Sequence, residues 1–383
     1  MLRNRYHVIA IAGIVLLVIL SSCGGASTTQ QSIPTSIHTT TPQGTPVQQT
    51  TPTPTATQAV TGLRHIFYIM MENHGLNDIL GNNTDAPYLN QLANSYGVAL
   101  HYFGVTHPSL PNYLAAISGD FQGIWDDCPA GTTVTCEPEE FGSLLTRGEA
   151  VNASNRAHMF GGQTLADQLE AHNLSWKAYM QSMPTIGFTG GSTALYAQKH
   201  NPFVYFTSIR NNPARMQRIV PLTLFDQDSK SANVPNFVWI TPDVCSDMHG
   251  VSAGAAQSLG IPACATYDGI IARGDNFIHT IVPEIMSSPA WNEGSAIVIA
   301  WDESNGSSSG CCKSPAGVNG VTLGGGNVPL LVITSKGMRH LVVGDREFNH
   351  YSLLGTIEQM WGLGCLGNAC GLGDGDLMTG LFE

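Results

Sequence analysis

Residues 64–71 read RHIFYIMM and run straight into Glu72-Asn73-His74. After Arg64 and His65 the run is wholly aromatic, β-branched or otherwise apolar. It is too short for an average helix and does not alternate, which fits a strand buried on both faces of a parallel sheet. Four more runs share this character: LSWKAYM (174–180), NFVWIT (236–241), SAIVIAW (295–301) and VPLLVIT (328–334). Helical stretches such as QTLADQLEAHN and DGIIARGDNFIHTIVPEIMSS lie between them. The alternation predicts a doubly wound α/β domain, with a mostly parallel central sheet and helices on both faces. Trp176, Tyr179 and Trp239 fall within strand patterns and are expected in the core.

Acidic groups follow three of these strands. The first ends in Glu72-Asn73-His74, NFVWIT leads into Pro242-Asp243 with Asp247 and His249 close behind, and SAIVIAW ends in Asp302-Glu303. In an open parallel sheet the carboxyl ends of the strands face one crevice, where ligands bind. Acids pooled there repel one another unless a cation holds them. Asp243 or Asp302 taken singly reads as a helix cap; together the acids predict a metal site. His350 precedes the amphipathic stretch YSLLGTIEQMWGL and joins them as a ligand or an acid–base group.

The stretch THPSLPNYLAAISG (106–119) sets Ser109 between Pro108 and Pro111 at the mouth of a helical run. Local sequence allows either a surface turn or a stiffly held nucleophile. The prolines restrict the backbone around Ser109, and a helix starting near Asn112 would offer free N–H groups to a phosphate. The Gly-rich stretch 317–329 lacks a following Lys-Ser/Thr and reads as a flexible loop near the site.

The chain has 383 residues, 43% hydrophobic and 11% charged, enough apolar material for a large core. Residues 1–22 pair Arg3 and Arg5 with an apolar run and read as an export signal. The sequence LSSC at Leu20 to Cys23 resembles a bacterial lipobox, with Cys23 lipidated; an uncleaved single-pass anchor gives the same topology. Residues 23–61 are rich in Thr, Pro, Gln and Ser and form an extended tether, leaving 62–383 as the folded domain. The expected location is the cell surface, anchored to the bacterial membrane. The formal net charge of −12 becomes −14 once Arg3 and Arg5 are removed, which argues against nucleic acid as a partner. Eight further cysteines suggest disulfides, with 128/136, 365/370 and 245/264 the natural pairs. Adjacent Cys311 and Cys312 have no evident partners.

HIFYIMMENHG, THPSLPNYLAAISG, SWKAYMQSMP, KHNPFVYF, VWITPDVCSDMHG, AWDESNG and FNHYSLLGTIEQMWGL, in this order over residues 64–363, resemble the bacterial phosphoesterase family. That family holds acid phosphatases, phosphatidylinositol 3-phosphate phosphatases and phosphocholine-type phospholipases C. The chain also looks like a distant alkaline-phosphatase-like protein, with Ser109 in the nucleophile's place. The resemblance implies a phosphate monoesterase working through a phosphoserine, with a phospholipase C or a non-catalytic surface-binding lipoprotein as the rival readings. It places one cation among Glu72, Asn73, Asp302 and Glu303, in contact with Ser109. A second metal position would draw on Asp243, His249 and His350, with Asp247 as a substitute for either of the first two. Oxygen-rich ligands favour Ca²⁺, Mg²⁺ or Mn²⁺ over zinc. Asn112, His107 and Asn73 are expected near the phosphoryl oxygens. His107 and His350 are acid–base candidates, while His200 and Asn201, with Lys199, shape the substrate side. The partner is a phosphate ester, either a small molecule or a lipid headgroup.

Overall fold

The computed structural model describes residues 62–383, apart from positions 132–135, 137, 139–140, 155–157, 262–263 and 265–266. The leader, Cys23 and the tether lie outside the described residues. Nine strands form one sheet among the described residues: β1 His65–Met71, β2 Gly97–Phe103, β3 Trp176–Met180, β4 Ile219–Pro221, β5 Phe237–Thr241, β6 Ser295–Trp301, β7 Asn327–Thr334, β8 Leu341–Val343 and β9 Phe348–Asn349. Their order is β4-β3-β5-β1-β6-β7-β2-β8, with β9 also pairing β2. Every pairing is parallel except the two made by β7, which runs antiparallel to β6 and β2. β7 is reached from β6 through a loop with no crossover helix, so it returns in the opposite sense.

Five helices matter for the site: α1 Pro87–Ala93, α2 Ser109–Ser118, α3 Leu165–Ala171, α4 Tyr267–Met286 and α5 His350–Trp361. α2 packs with α5 and α3, and α1 packs with α4. The period of two in the strands sorts their side chains onto two covered faces. On one face Tyr68 stacks on Trp239 at 4.6 Å between ring centroids, and Tyr113 of α2 meets that tryptophan at 6.1 Å. On the other, Phe67 and Tyr179 both close edge-on against Phe225. Trp176, Tyr179 and Trp239 are buried as expected. Each such aromatic pair adds about 1 kcal/mol beyond area burial, which fixes α2 firmly over the sheet centre.

Four disulfides close the loops: Cys128–Cys136, Cys245–Cys264, Cys311–Cys312 and Cys365–Cys370. Three are the expected pairs. The fourth joins the two adjacent cysteines to each other, a pairing that sequence spacing does not suggest.

Strand order brings the acidic strand exits together. β5, β1 and β6 are neighbours at the centre of the sheet, and Met71 pairs with Trp301. Adjacent strands lie about 4.8 Å apart, so the residues leaving these three ends are forced into one crevice.

A carboxyl group far from that edge carries a test of the packing. Glu358 of α5 is buried, with only the Gln168 side chain and the Leu366 backbone as polar neighbours to its carboxyl group. Burial pushes its pKa up to about 8. A raised carboxyl pKa means that the folded state holds a proton the unfolded state has lost, so stability falls as pH climbs from about 4.5 through about 8. Glu358→Gln should leave the apparent Tm nearly unchanged at pH 4.5 and raise it at pH 8.5, by on the order of 3 kcal/mol of stability. Equal Tm values for both proteins at pH 8.5 would refute this account.

Candidate active site

Ser109 is the first residue of α2 and is fully buried. The chain leaves β2 at Phe103 and reaches Ser109 through a loop stitched by Asn112. The Asn112 side-chain carbonyl accepts from the N–H of Val105 (2.7 Å) and Thr106 (3.2 Å). Its amide donates to the carbonyls of Thr106 (2.6 Å) and Pro108 (3.1 Å). Asn112 therefore shapes the turn that presents Ser109, and its hydrogen-bonding capacity is spent on that loop. The helix begins at Ser109 itself, three residues earlier than the sequence suggests.

The Ser109 hydroxyl sits among oxygens. Its Oγ lies 3.0 Å from Glu72 Oε2, 3.1 Å from Glu303 Oε1 and 3.5 Å from Asn73 Oδ1. Asn73 adopts a left-handed backbone (φ 45°), and its N–H donates to Asp302 Oδ1 at 3.2 Å. Glu72, Asp302, Glu303 and Asp247 are all buried. Since Glu72 and Glu303 both contact one hydroxyl, those two contacting oxygens are no more than about 6 Å apart. At an effective dielectric of 20, two full charges at that separation repel by roughly 3 kcal/mol. Burial first, and then the neighbouring carboxylates, push Glu72 and Asp302 well above the usual carboxylate range. Burial does the same to Asp247, with Asp243 and Asp302 adding to it.

Lys199 is the ammonium set against this pool. Its Nζ donates to Asp127 Oδ2 (2.6 Å) and lies 3.4 Å from Ser109 Oγ and 3.4 Å from His249 Nε2. Burial opposes its charge, but Asp127, Glu72 and Glu303 outweigh that and hold its pKa above the ordinary lysine value. Asp127 also accepts the N–H of Leu110 at 2.9 Å, so one carboxylate caps the first turn of α2 and aims the ammonium at Ser109.

The histidines divide by role. His200, stacked flat on Tyr113, stands between Glu72 and Asp247, with Nε2 3.2 Å from Glu72 Oε1 and Nδ1 3.1 Å from Asp247 Oδ2. The angles are wrong for hydrogen bonds, so none of these four atoms has a hydrogen-bond partner. Burial, then Lys199 and His249, depress its pKa well below the usual range. His107 meets Glu303 Oε2 through Nδ1 and the Ser307 carbonyl through Nε2 at 2.8 Å, which orients Glu303 toward Ser109. His350 is neutral and buried, its pKa lowered to about 4 by burial. Its Nε2 donates to the Asp302 carbonyl (2.7 Å) and its Nδ1 accepts from Tyr102 (2.8 Å), so it props the Asp302 loop from behind. His249 is the exposed member, at the rim.

Two expected residues stand apart from the cluster around Ser109. Asp243 accepts from Ser182 Oγ (2.7 Å) and from the N–H groups of Cys245 and Ser246, which makes it the cap of its own turn. Asn201 donates to the Tyr196 hydroxyl at 3.0 Å in the buried wall. The Gly-rich stretch is a packing device: Gly325 lies against Gly104, and a Cβ on Gly104 would meet the Asp302 carbonyl at 2.7 Å. A polar cavity of about 470 Å³, lined by His74, Asp78, Asn82, Asp85 and Asn305, opens between the loops leaving β1 and β6.

The residues present fit a divalent cation. Glu72 Oε1, Asp302 Oδ2, Asp247 Oδ2 and both His200 nitrogens are buried without hydrogen-bond partners. Glu72, His200 and His249 each bring a ligand atom within 4.8 Å of the others. An unpaired buried carboxylate costs several kcal/mol, and a hard cation is the group that relieves it.

A model of the Phosphoesterase family matches residues 82–364. The chain is 26% identical over 308 residues to a phosphatidylinositol-3-phosphatase of Mycobacterium tuberculosis, with 80% of each chain covered. It is 26% identical over 281 residues to an acid phosphatase of Aspergillus fumigatus, covering 71% of this chain and 50% of that one. A phosphate-repressible acid phosphatase of Penicillium chrysogenum is 25% identical over 284 residues, at 73% and 55% coverage. The chain thus spans about half the length of these fungal relatives. Among solved structures it is similar to a protein of the alkaline phosphatase superfamily from Vibrio parahaemolyticus, with TM-score 0.47, 14% identity, and 79% and 68% of the two chains covered.

The carboxylate pool yields a stability test. In chelator, Asp302→Asn removes one repelling group, so the apparent Tm at pH 8 should rise by about 2–5 °C over wild type. Millimolar Ca²⁺, Mg²⁺ or Mn²⁺ should raise the wild-type Tm by roughly 6 °C, following the mass-action gain of a bound ion, and raise that of the variant by half as much or less. Scanning fluorimetry decides the matter; a variant that gains as much as wild type would place the ion elsewhere.

Proposed function

The chain belongs to the Phosphoesterase family, and on that premise we propose that it hydrolyses phosphate monoesters through a phosphoserine at Ser109. The observation that carries this reading is the position of the Ser109 hydroxyl. It donates toward the carboxylates of Glu72 and Glu303, and a lysine ammonium lies 3.4 Å away. A serine hydroxyl alone is a poor nucleophile at neutral pH, and adjacent bases together with positive charge supply what it lacks.

Ser109 Oγ attacks phosphorus in line with the leaving alkoxide. Its proton passes to the carboxylate of Glu72 or Glu303, the P–O bond to the alcohol breaks, and the departing alkoxide takes a proton from solvent water. Water then attacks the phosphoserine from the side the alcohol vacated, losing a proton to solvent, while the carboxyl returns its proton to the departing Ser109 Oγ, which releases phosphate and restores the serine. Lys199 faces the charge that builds on the phosphoryl oxygens, and Asp127 keeps it from swinging away. His107 fixes the Glu303 carboxylate, while His350 and Asn73 fix the Asp302 side of the site. Glu72, Asn73, Asp302 and Glu303 would hold the divalent cation, with His200 and Asp247 behind them. That ion, when bound, lowers the Ser109 hydroxyl pKa and offsets phosphoryl charge.

Hydrolysis of nitrophenyl phosphate tests the reading. Ser109→Ala should lose roughly 10⁴-fold or more in kcat and Lys199→Ala roughly 10²–10³-fold, and chelator should silence the wild type. Acid-quenched protein given labelled monoester should carry the label on the peptide containing Ser109, and Ser109→Ala should carry none. Turnover confined to nitrophenylphosphocholine would show a diesterase instead. In the same reading Cys23 is lipidated, with 23–61 as the spacer between membrane and domain. Labelled palmitate should enter the wild type and be absent from Cys23→Ala.

A further inference from the structure

Beside the loop that carries Asp127 lies a second cluster that the proposed reaction does not use. Asp126 and His158 are buried, with Asp126 Oδ1 2.6 Å from His158 Nε2. Asp126 Oδ2 and His158 Nδ1 have no hydrogen-bond partner. The disulfide Cys128–Cys136 lies against this pair. One ligand atom from each of Asp126, Cys128, Cys136 and His158 falls within 4.8 Å of the other three. Two sulfurs, an imidazole nitrogen and a carboxylate oxygen form the donor set of a closed tetrahedral site. Tetrahedral ligands at zinc distances stand about 3.3–3.8 Å apart, so once the S–S bond is broken the two sulfurs, and the Asp126 and His158 atoms now 2.6 Å apart, have to spread to that separation while the wider pairs draw in.

We infer that reducing Cys128–Cys136 turns this cluster into a site for a zinc-class divalent cation, bound by both thiolates with Asp126 and His158. The chemistry balances with a phosphine as the reductant. Phosphorus attacks one sulfur and breaks the S–S bond, and water gives its oxygen to phosphorus and its two hydrogens to the sulfurs. The products are a phosphine oxide and two thiols. The cation then replaces the two thiol protons, which pass to buffer, and takes the place of the hydrogen between His158 and Asp126, which moves to the unpartnered Nδ1 of the same imidazole. Sulfur ligands select zinc or cobalt here over the hard ions suited to the oxygen-rich cluster at Ser109.

The geometry also gives the site a purpose. Asp127 lies between Asp126 and Cys128 and holds both Lys199 and the first turn of α2. In the oxidised chain the disulfide tethers this segment, and in the reduced chain the cation does so. The cysteines are 8 positions apart and the histidine is far along the chain, so no compact zinc motif marks the site.

The test uses the full chain reduced by a phosphine, with and without Zn²⁺, and maps alkylation of each cysteine by mass spectrometry. Zn²⁺ should slow alkylation of Cys128 and Cys136 at least about ten-fold while leaving Cys365 and Cys370 unprotected. Asp126→Ala and His158→Ala should each cut that protection to below about two-fold. Should either variant fail to fold, Co²⁺ added to reduced wild type should give a thiolate charge-transfer band that Cys128→Ser lacks. Uniform protection of all cysteines, no protection at all, or full protection in both variants would overturn the site. A cobalt band that survives in Cys128→Ser would do the same.

Discussion

Four carboxylates are buried around one serine hydroxyl with one lysine ammonium among them, and much of this structure serves to hold that arrangement. Full charges in such a space repel by several kcal/mol per pair at any dielectric suited to a protein interior. A loop alone would splay to relieve the repulsion. Here Glu72 and Asp302 leave adjacent, register-matched strands at the centre of the sheet, so moving them apart would break the parallel ladder behind them. The apolar faces of β1, β5 and β6, clamped by Tyr68, Trp239 and Tyr113, offset the strain of keeping charge in a dry place.

Around that frame each polar side chain supports a neighbour. His350 grips the Asp302 carbonyl from a ring that stays neutral across ordinary pH. His107 turns Glu303, Asn112 shapes the approach to Ser109, and Asp127 ties α2 to Lys199. Most of these groups have their hydrogen bonds satisfied within the protein. The exceptions, at Glu72, Asp302, Asp247 and His200, face one another. Saturated supports around an unsaturated centre are what a preorganised ion and phosphate site requires, because donors already fixed need no reorganisation when charge develops.

How much of this is legible in the sequence depends on range. Buried strands announce themselves within seven residues, so β1, β3, β5, β6 and β7 can be read directly, as can the acids at their exits. β2 escapes such a reading because its GVALHYF run carries a half-buried leucine and an exposed histidine next to a register break between Ala99 and Tyr102. β4, β8 and β9 have three residues or fewer and no periodicity to detect. The reversed sense of β7 lies in the missing crossover helix, a signal present in the sequence between 302 and 327. Asp127 and Lys199 are 72 positions apart. Asp127 reads as part of an acidic, disulfide-pinned insertion, and nothing local pairs it with the Lys-His-Asn-Pro stretch. Asn112 and His107 are visible as polar residues near a nucleophile. Their partners are backbone groups and a carboxylate brought in by folding, which single-residue reading cannot supply.

On the function proposed for this site, its geometry also bears on how many cations it would hold. Asp243 is occupied as a turn cap and His350 by Tyr102 and Asp302, which leaves His249 as the one member of that trio beside Lys199. The ammonium stands within 3.4 Å of both Ser109 and His249, in the space that a second ion contacting those groups would enter. A lysine held by a partly buried carboxylate keeps its charge at any working pH and cannot be lost to a chelator. It brings one positive charge where a metal would bring two, and a directional donor where a metal would bring an open coordination sphere. Counting Asp127, the partner of Lys199, with the four buried acids, one divalent cation and one ammonium leave a net charge near −2. A second divalent ion in that space would compete with Lys199 for its place beside Ser109 and leave Asp127 without its ammonium partner. On the function proposed above, the place held by Lys199 therefore favours a centre built from one exchangeable cation and one that the chain supplies itself.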